Sequence, residues 1–211
     1  MIKEAPFDDL IQRYPALKGC RPDIQMASSA LVECYQNEGK LLVCGNGGSA
    51  SDSDHIVGEL MKSFSKKRPL TKEFSKKLQE NNAEIGSLLA SKLERGLPAI
   101  ALHAHGGLVS AISNDIGSDY VFAQQVLGYG RKNDVLLAIS TSGNSVNVLN
   151  ACITAKALNM KVIGLLGKSG GKMKEFCDVA IRVPSTNTAI IQEYHLPIYH
   201  TLCIILEETL F

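Results

Sequence analysis

The 211-residue chain has no Cys-x-x-Cys pair, no apolar run of membrane-spanning length and no excess of either charge sign. Each absence removes a class of protein. Its six cysteines (Cys20, Cys34, Cys44, Cys152, Cys177 and Cys203) are scattered, most of them in apolar runs where a thiol packs as a small hydrophobe. That pattern predicts free thiols in a reducing compartment, not a disulfide framework. The N-terminal stretch MIKEAPFDDLIQRYPAL carries acids where a signal peptide needs an apolar core, so a cytoplasmic location is expected. With a formal net charge of +1 and no long single-sign run, nucleic-acid and membrane partners have no electrostatic footprint. Small water-soluble ligands remain.

Length favours one large domain over two ordinary ones. Short apolar runs at 40–44, 98–102, 134–140, 161–167 and 178–183 read as strands buried on both faces, because they lack polar alternation. Between them lie helical patterns at about 22–38, 49–64, 107–113, 119–129, 144–158 and 187–210. The alternation predicts a doubly wound α/β sandwich. One segment breaks the rhythm. Residues 65–96 are charged and helical in pattern, bounded by Pro69 and Gly96, and read as an inserted, solvated helical arm.

In open α/β sheets, ligands bind beyond the carboxyl ends of the strands. Two of the loops expected there suit an anion. In the first, GNGGSA at 45–50, Gly45, Gly47 and Gly48 let backbone amides approach a ligand, and Ser49 is placed to cap the next helix. In the second, STSGNS at 140–145, Ser140, Thr141, Ser142 and Ser145 set four hydroxyls around Gly143 at a helix entry, more than one cap requires. Gly45, Gly47 and Ala50 also fit a dinucleotide fingerprint. That fingerprint wants an acid after the following strand, where this chain has His103, and no G-x-x-x-x-G-K-[ST] is present. A sugar phosphate fits the two loops better than a nucleotide.

His55 and Glu59 are four apart and share a helix face, as ligands of a divalent metal or as a simple hydrogen-bonded pair. Near the C-terminus, Gln192, Glu193, His195 and His200 precede an apolar run, so this end of the helix is expected to face a site. Eight residues of helix span about 12 Å, so Gln192 and His200 cannot reach one ion from a straight helix. Gln192 must precede the regular helix, Pro197 must kink it, or the two must come from different subunits. His103 and His105 follow a strand and are placed either to line the pocket or, the reading favoured, as structural or surface residues.

Taken in order, GNGGSASDSDHIVGEL (45–60), AISND (111–115), ISTSGNSVNVL (139–149) and IQEYHLPIYH (191–200) resemble the sugar isomerase (SIS) domain family and, within it, its phosphoheptose isomerase branch. The resemblance runs from about residue 22 to 211, leaving out the 65–96 arm. It implies a three-layer sandwich on a five-stranded parallel sheet and a homotetramer with active sites between subunits. It also implies a bound zinc ion whose ligands fall on His55, Glu59, Gln192 and His200. The implied substrate contacts are Asn46, Gly47, Gly48, Ser49, Glu59, Asn114, Asp115, Ser140, Thr141, Ser142, Ser145 and Gln192. The implied reaction interconverts D-sedoheptulose 7-phosphate and D-glycero-D-manno-heptose 7-phosphate, with Glu59 as base and His200 as acid. Two departures, Ile190 where a polar residue often precedes the IQE motif and the 65–96 arm itself, bear on substrate more than on chemistry. SIS domains also serve as non-catalytic partners of a replication initiator and as sugar-phosphate sensors. Glu59 together with His200 argues against the former.

Overall fold

The computed structural model describes residues 2–211. Five strands, β1 (Leu41–Cys44), β2 (Ala99–Ala101), β3 (Val135–Ser140), β4 (Lys161–Leu166) and β5 (Val179–Arg182), form one parallel sheet in the order β2-β1-β3-β4-β5. The chain starts in the sheet interior at β1, goes to one edge at β2 and returns past β1 to β3. The β1 and β3 carboxyl ends therefore lie side by side where the winding reverses, the usual place for a ligand.

Both sheet faces are covered, which is why the strands show no polar alternation. Leu41, Val43, Val135, Leu137, Ile163 and Ile181 join one core, and Leu42, Cys44, Leu136, Ala138 and Val162 join the other. The first core is closed by α1 (Ala5–Arg13), α2 (Arg21–Gln36), α3 (Gly48–Met61) and α9 (Thr188–Leu210). The second is closed by α6 (Gly106–Asp115), α7 (Val121–Tyr129) and α8 (Val146–Ala157). The expected three layers and five parallel strands are present. The N-terminal segment adds α1, with Pro6 in its first turn and Phe7 and Leu10 buried.

The 65–96 segment forms a helical hairpin of α4 (Lys72–Asn81) and α5 (Ala83–Lys92). Thr71 Oγ1 accepts from the Phe74 amide at 3.2 Å and Asn82 Oδ1 from the Ile85 amide at 2.8 Å, so each helix has a side-chain N-cap. Gly86 sits against the Leu78 carbonyl, where a Cβ would collide, and this lets the helices touch. They pack mainly on each other. An antiparallel bridge between Pro69 and Glu94 closes the base of the arm. Arg68 departs from the solvated reading of this segment: it is fully buried.

Candidate active site at the carboxyl ends of the strands

The glycine turn after β1 is built on backbone freedom. Gly47 has φ +55°, a value that favours glycine, and α3 begins at Gly48. Ser49 does not cap this helix, contrary to expectation. Gly47 is the N-cap residue and no side chain caps the end, while Ser49 lies inside the first turn, 3% exposed, with its carbonyl accepting from the Ser53 hydroxyl. Its hydroxyl is turned away from solvent, which sets it apart from exposed Asn46, Gly47 and Gly48.

The second loop is shaped by its own hydroxyls. Ser140 Oγ accepts from the Gly143 amide at 3.1 Å and lies 3.2 Å from Ser145 Oγ. Ser142 Oγ accepts from the Asn144 amide at 3.1 Å, and Thr141 is half-buried. Gly143 has φ +66°, and a Cβ there would overlap the Gly170 carbonyl. The glycines at 170–171 thus support the loop from below, and the Met173 amide donates to the Gly143 carbonyl at 3.0 Å. Ser145 is the N-cap residue of α8; the Val148 amide donates to Asn147 Oδ1 at 3.0 Å, and the amides of Val146 and Asn147 ahead of it can receive an anion.

The two loops are joined. Asn46 Nδ2 donates to Asn147 Oδ1 at 2.9 Å, and Asn147 Nδ2 donates back to Asn46 Oδ1 at 3.0 Å. Asn147 had no signal in the sequence, because its partner lies 101 residues away.

About two turns down α3, His55 Nε2 lies 3.4 Å from Glu59 Oε1 and 3.4 Å from His200 Nε2 on α9. Tyr199 Oη is 3.0 Å from His55 Nδ1 and 3.3 Å from Asp52 Oδ1. If the tyrosine donates to the carboxylate, His55 Nδ1–H donates to the tyrosine, and the Nε2 lone pair is left facing Glu59 and His200. Burial raises the Asp52 carboxyl above its ordinary value, opposed by the Tyr199 hydrogen bond and by His55. Burial, then the neighbouring His55 charge, lowers His200, while Glu59 pulls it up. Asp52 and Tyr199 form a supporting layer that sequence spacing could not reveal.

Donor atoms bound to zinc at 2.0–2.1 Å in a tetrahedron stand roughly 3.3–3.4 Å apart. Both contacts of His55 Nε2 match that edge, and a carboxylate with two imidazoles is a suitable zinc donor set. The donor chemistry suits the ion, and His55 is spaced for it against each neighbour in turn. The three residues do not close a site: among the described residues, no group of three or more His, Cys, Asp or Glu is arranged to hold a metal.

Gln192, the fourth expected ligand, is elsewhere. Its Nε2 lies over Gly48, where a Cβ would collide with it, at the opening of α3. Because α9 runs unbroken from Thr188 to Leu210, Gln192 lies inside the helix, about 12 Å along it from His200. Gln192 does not precede the regular helix. A single chain does not bring all four residues together.

Asn114 and Asp115 end α6, exposed and paired with each other at 2.8 Å. For His103 the structure favours the pocket-lining alternative. Its Nε2 lies 2.9 Å from Asp54 Oδ2, and it lines a cavity of about 300 Å³ with Asn46, Gly47, Ser113 and Asn147. A larger cavity of about 670 Å³ opens beside Pro98 and Phe211, at the amino ends of the strands and away from these groups. His195 is fully buried and neither ring nitrogen meets a partner in hydrogen-bonding geometry. Burial lowers its pKa to about 4, with the Leu166 backbone opposing the shift.

Fold and site together define a protein of the SIS type, and the SIS domain profile matches residues 17–95 and 77–167. A phosphoheptose isomerase from a Nitratiruptor species is 44% identical over 186 residues, covering 88% of this chain and 86% of that protein. That of Campylobacter jejuni subsp. jejuni serotype O:6 is 42% identical over 199 residues, covering 94% and 91%. A solved phosphoheptose isomerase from Francisella tularensis superposes with a TM-score of 0.77 at 36% identity, covering 98% of this chain and 96% of the other. The chain belongs to the phosphoheptose isomerase family.

Proposed function

We propose that the protein is an aldose-ketose isomerase that interconverts D-sedoheptulose 7-phosphate and D-glycero-D-manno-heptose 7-phosphate, the first step toward nucleotide-activated heptose. The observation that carries this reading is the meeting of Glu59 and His200 on His55, on the helix that the first of two clasped anion-ready loops opens, in a chain 42–44% identical to phosphoheptose isomerases.

The chemistry follows from these groups. Hydroxyls and amides at 140–145, including Ser140, Thr141, Ser142 and Ser145, hold the phosphate and convert remote binding energy into orientation of C1 and C2. Asn46, Gly47, Gly48, Asn114 and Asp115 supply polar groups for the sugar chain. The Glu59 carboxylate removes a proton from C1 while His200 protonates the C2 carbonyl oxygen, giving an enediol. Return of a proton to C2 and loss of the O1 proton leave the aldehyde at C1. Glu59 Oε1 faces His55 and Oε2 faces Lys62 at 3.3 Å, so its two oxygens have different neighbours.

Zinc is the cofactor we propose, held by His55, Glu59 and His200; when bound, it would polarise the substrate's oxygens as a Lewis acid. Gln192 joins such a set only from another copy of the chain, which supports the homotetramer with shared sites. The chain has no helix long and apolar enough to cross a membrane among the described residues. With all six cysteines free and five of them buried, we assign it to the cytoplasm.

The test is turnover of sedoheptulose 7-phosphate by purified protein supplied with zinc. Glu59→Gln and His200→Asn should each lower kcat by about 10²-fold or more while substrate still binds. Binding without turnover by the unaltered protein would replace this reading with that of a non-catalytic sugar-phosphate sensor.

A further inference from the structure

The loop leaving α3 is held by an ion pair that takes no part in the proton transfers. Arg68 and Glu207 are both fully buried, with Arg68 Nε donating to Glu207 Oε1 at 2.7 Å. Glu207 also accepts from the amides of Phe64, Ser65 and Lys66 at 2.9, 2.8 and 2.8 Å and from the Ser65 hydroxyl at 2.7 Å. The other guanidinium nitrogens turn back onto α3. One donates to the Leu60 carbonyl at 2.7 Å and the other to the Glu59 carbonyl at 3.1 Å.

A helix leaves its last carbonyls without partners. At the end of α3, the extended C-cap residue Lys62 makes no capping bond, and Arg68 donates to two of those carbonyls, sharing that of Leu60 with the Leu97 amide at 2.8 Å. One belongs to Glu59 itself. At the other end of the pair, Glu207 lies on α9 seven residues beyond His200, on the same helix face. The pair therefore spans the two helices that carry the base and the acid.

Filling the core does not explain it, since well-packed apolar residues often replace a buried ion pair without loss of stability. An apolar pair could not grip two carbonyls and three loop amides at once. We propose that Arg68 and Glu207 are positioning residues for the isomerisation, fixing Glu59 on α3 relative to His200 on α9. This rests on the assignment of Glu59 and His200 as base and acid.

Arg68→Lys keeps the charge beside Glu207 but lacks the planar fork that reaches both carbonyls. Its kcat for sedoheptulose 7-phosphate should fall by about ten- to a hundredfold, with KM changed by less than about threefold, at a temperature where the variant is fully folded. Leu17→Ala, a cavity in the turn between α1 and α2, is the comparison: it should lower Tm while leaving kcat unchanged. Added guanidinium should restore part of the kcat lost in Arg68→Ala. If Arg68→Lys is recovered unfolded, Glu207→Gln carries the same expectation, and if neither folds, the pair is a folding requirement and the inference falls. Wild-type kcat in Arg68→Lys, or equal kcat losses in Arg68→Lys and Leu17→Ala, would overturn it while leaving the functional reading intact. No turnover by the unaltered protein would overturn both.

Discussion

His195 is a buried base kept neutral by its surroundings, and this makes stability depend on pH. Its pKa is about 4 in the folded chain against 6.5 when solvated, so the unfolded chain binds more protons between those values. The stability linked to the neutral ring is complete above pH 6.5 and declines as pH falls toward 4, by about 3 kcal/mol. Glu207 acts lower down. Burial would raise its pKa, but bonds from Phe64, Ser65 and Arg68 bring it from 4.5 to about 2, so its contribution is lost between those values. Urea unfolding at pH 7, 5.5 and 4 should show a falling midpoint, and His195→Leu should flatten that slope. At this scale the sequence was uneven. His55 and Glu59 were legible because a helix puts residues four apart on one face. Tyr199 and Asp52 were not, since their pairing spans 147 residues. Arg68 follows two lysines and reads as solvated; only its partner 139 residues on explains why it is buried.

Strands β1 to β5 were legible as elements because burial on both faces leaves unbroken apolar runs. Helix α1 was legible too, since Phe7, Leu10, Ile11 and Tyr14 fall at helical spacing, but the segment was weighed only for the acids that rule out a signal peptide. The start of α3 was misjudged because glycine, normally a helix breaker, serves there as N-cap while Ser49 turns inward. The arm was legible as a helical pair, and its construction leads to an expectation. Since α4 and α5 pack mainly on each other and Pro69 bridges Glu94 at their root, replacing residues 72–92 by a short Gly-Ser linker should leave the body folded. Thermal unfolding should shift by only a few degrees, roughly what a loss of 1 kcal/mol or so produces in a chain of this size. A collapse of the transition would mean that the hairpin is part of the body's core.

Across the whole molecule, α9 links the parts of the site. Its first turns set Gln192 against Gly48, its middle carries His200 to His55, and its end anchors the loop after α3 through Glu207. If Gln192 and His200 serve one ion, the distance between them assigns them to different chains. Gln192→Ala and His200→Asn should then each be inactive alone. After unfolding together and refolding, the mixture should recover activity, up to about a quarter of the sites if subunits assort at random and each shared site draws the two residues from two chains. Recovery of none would place every required group within one chain.

The clasp between Asn46 and Asn147 contains two hydrogen bonds and no ionisable group. Protons and salt therefore have little leverage on the shape of the phosphate cradle. A sugar phosphate, by contrast, loses its second negative charge as pH falls through about 6. The clasp adds no proton-linked change of its own across that range, so the frame of the cradle keeps its shape while the guest changes charge.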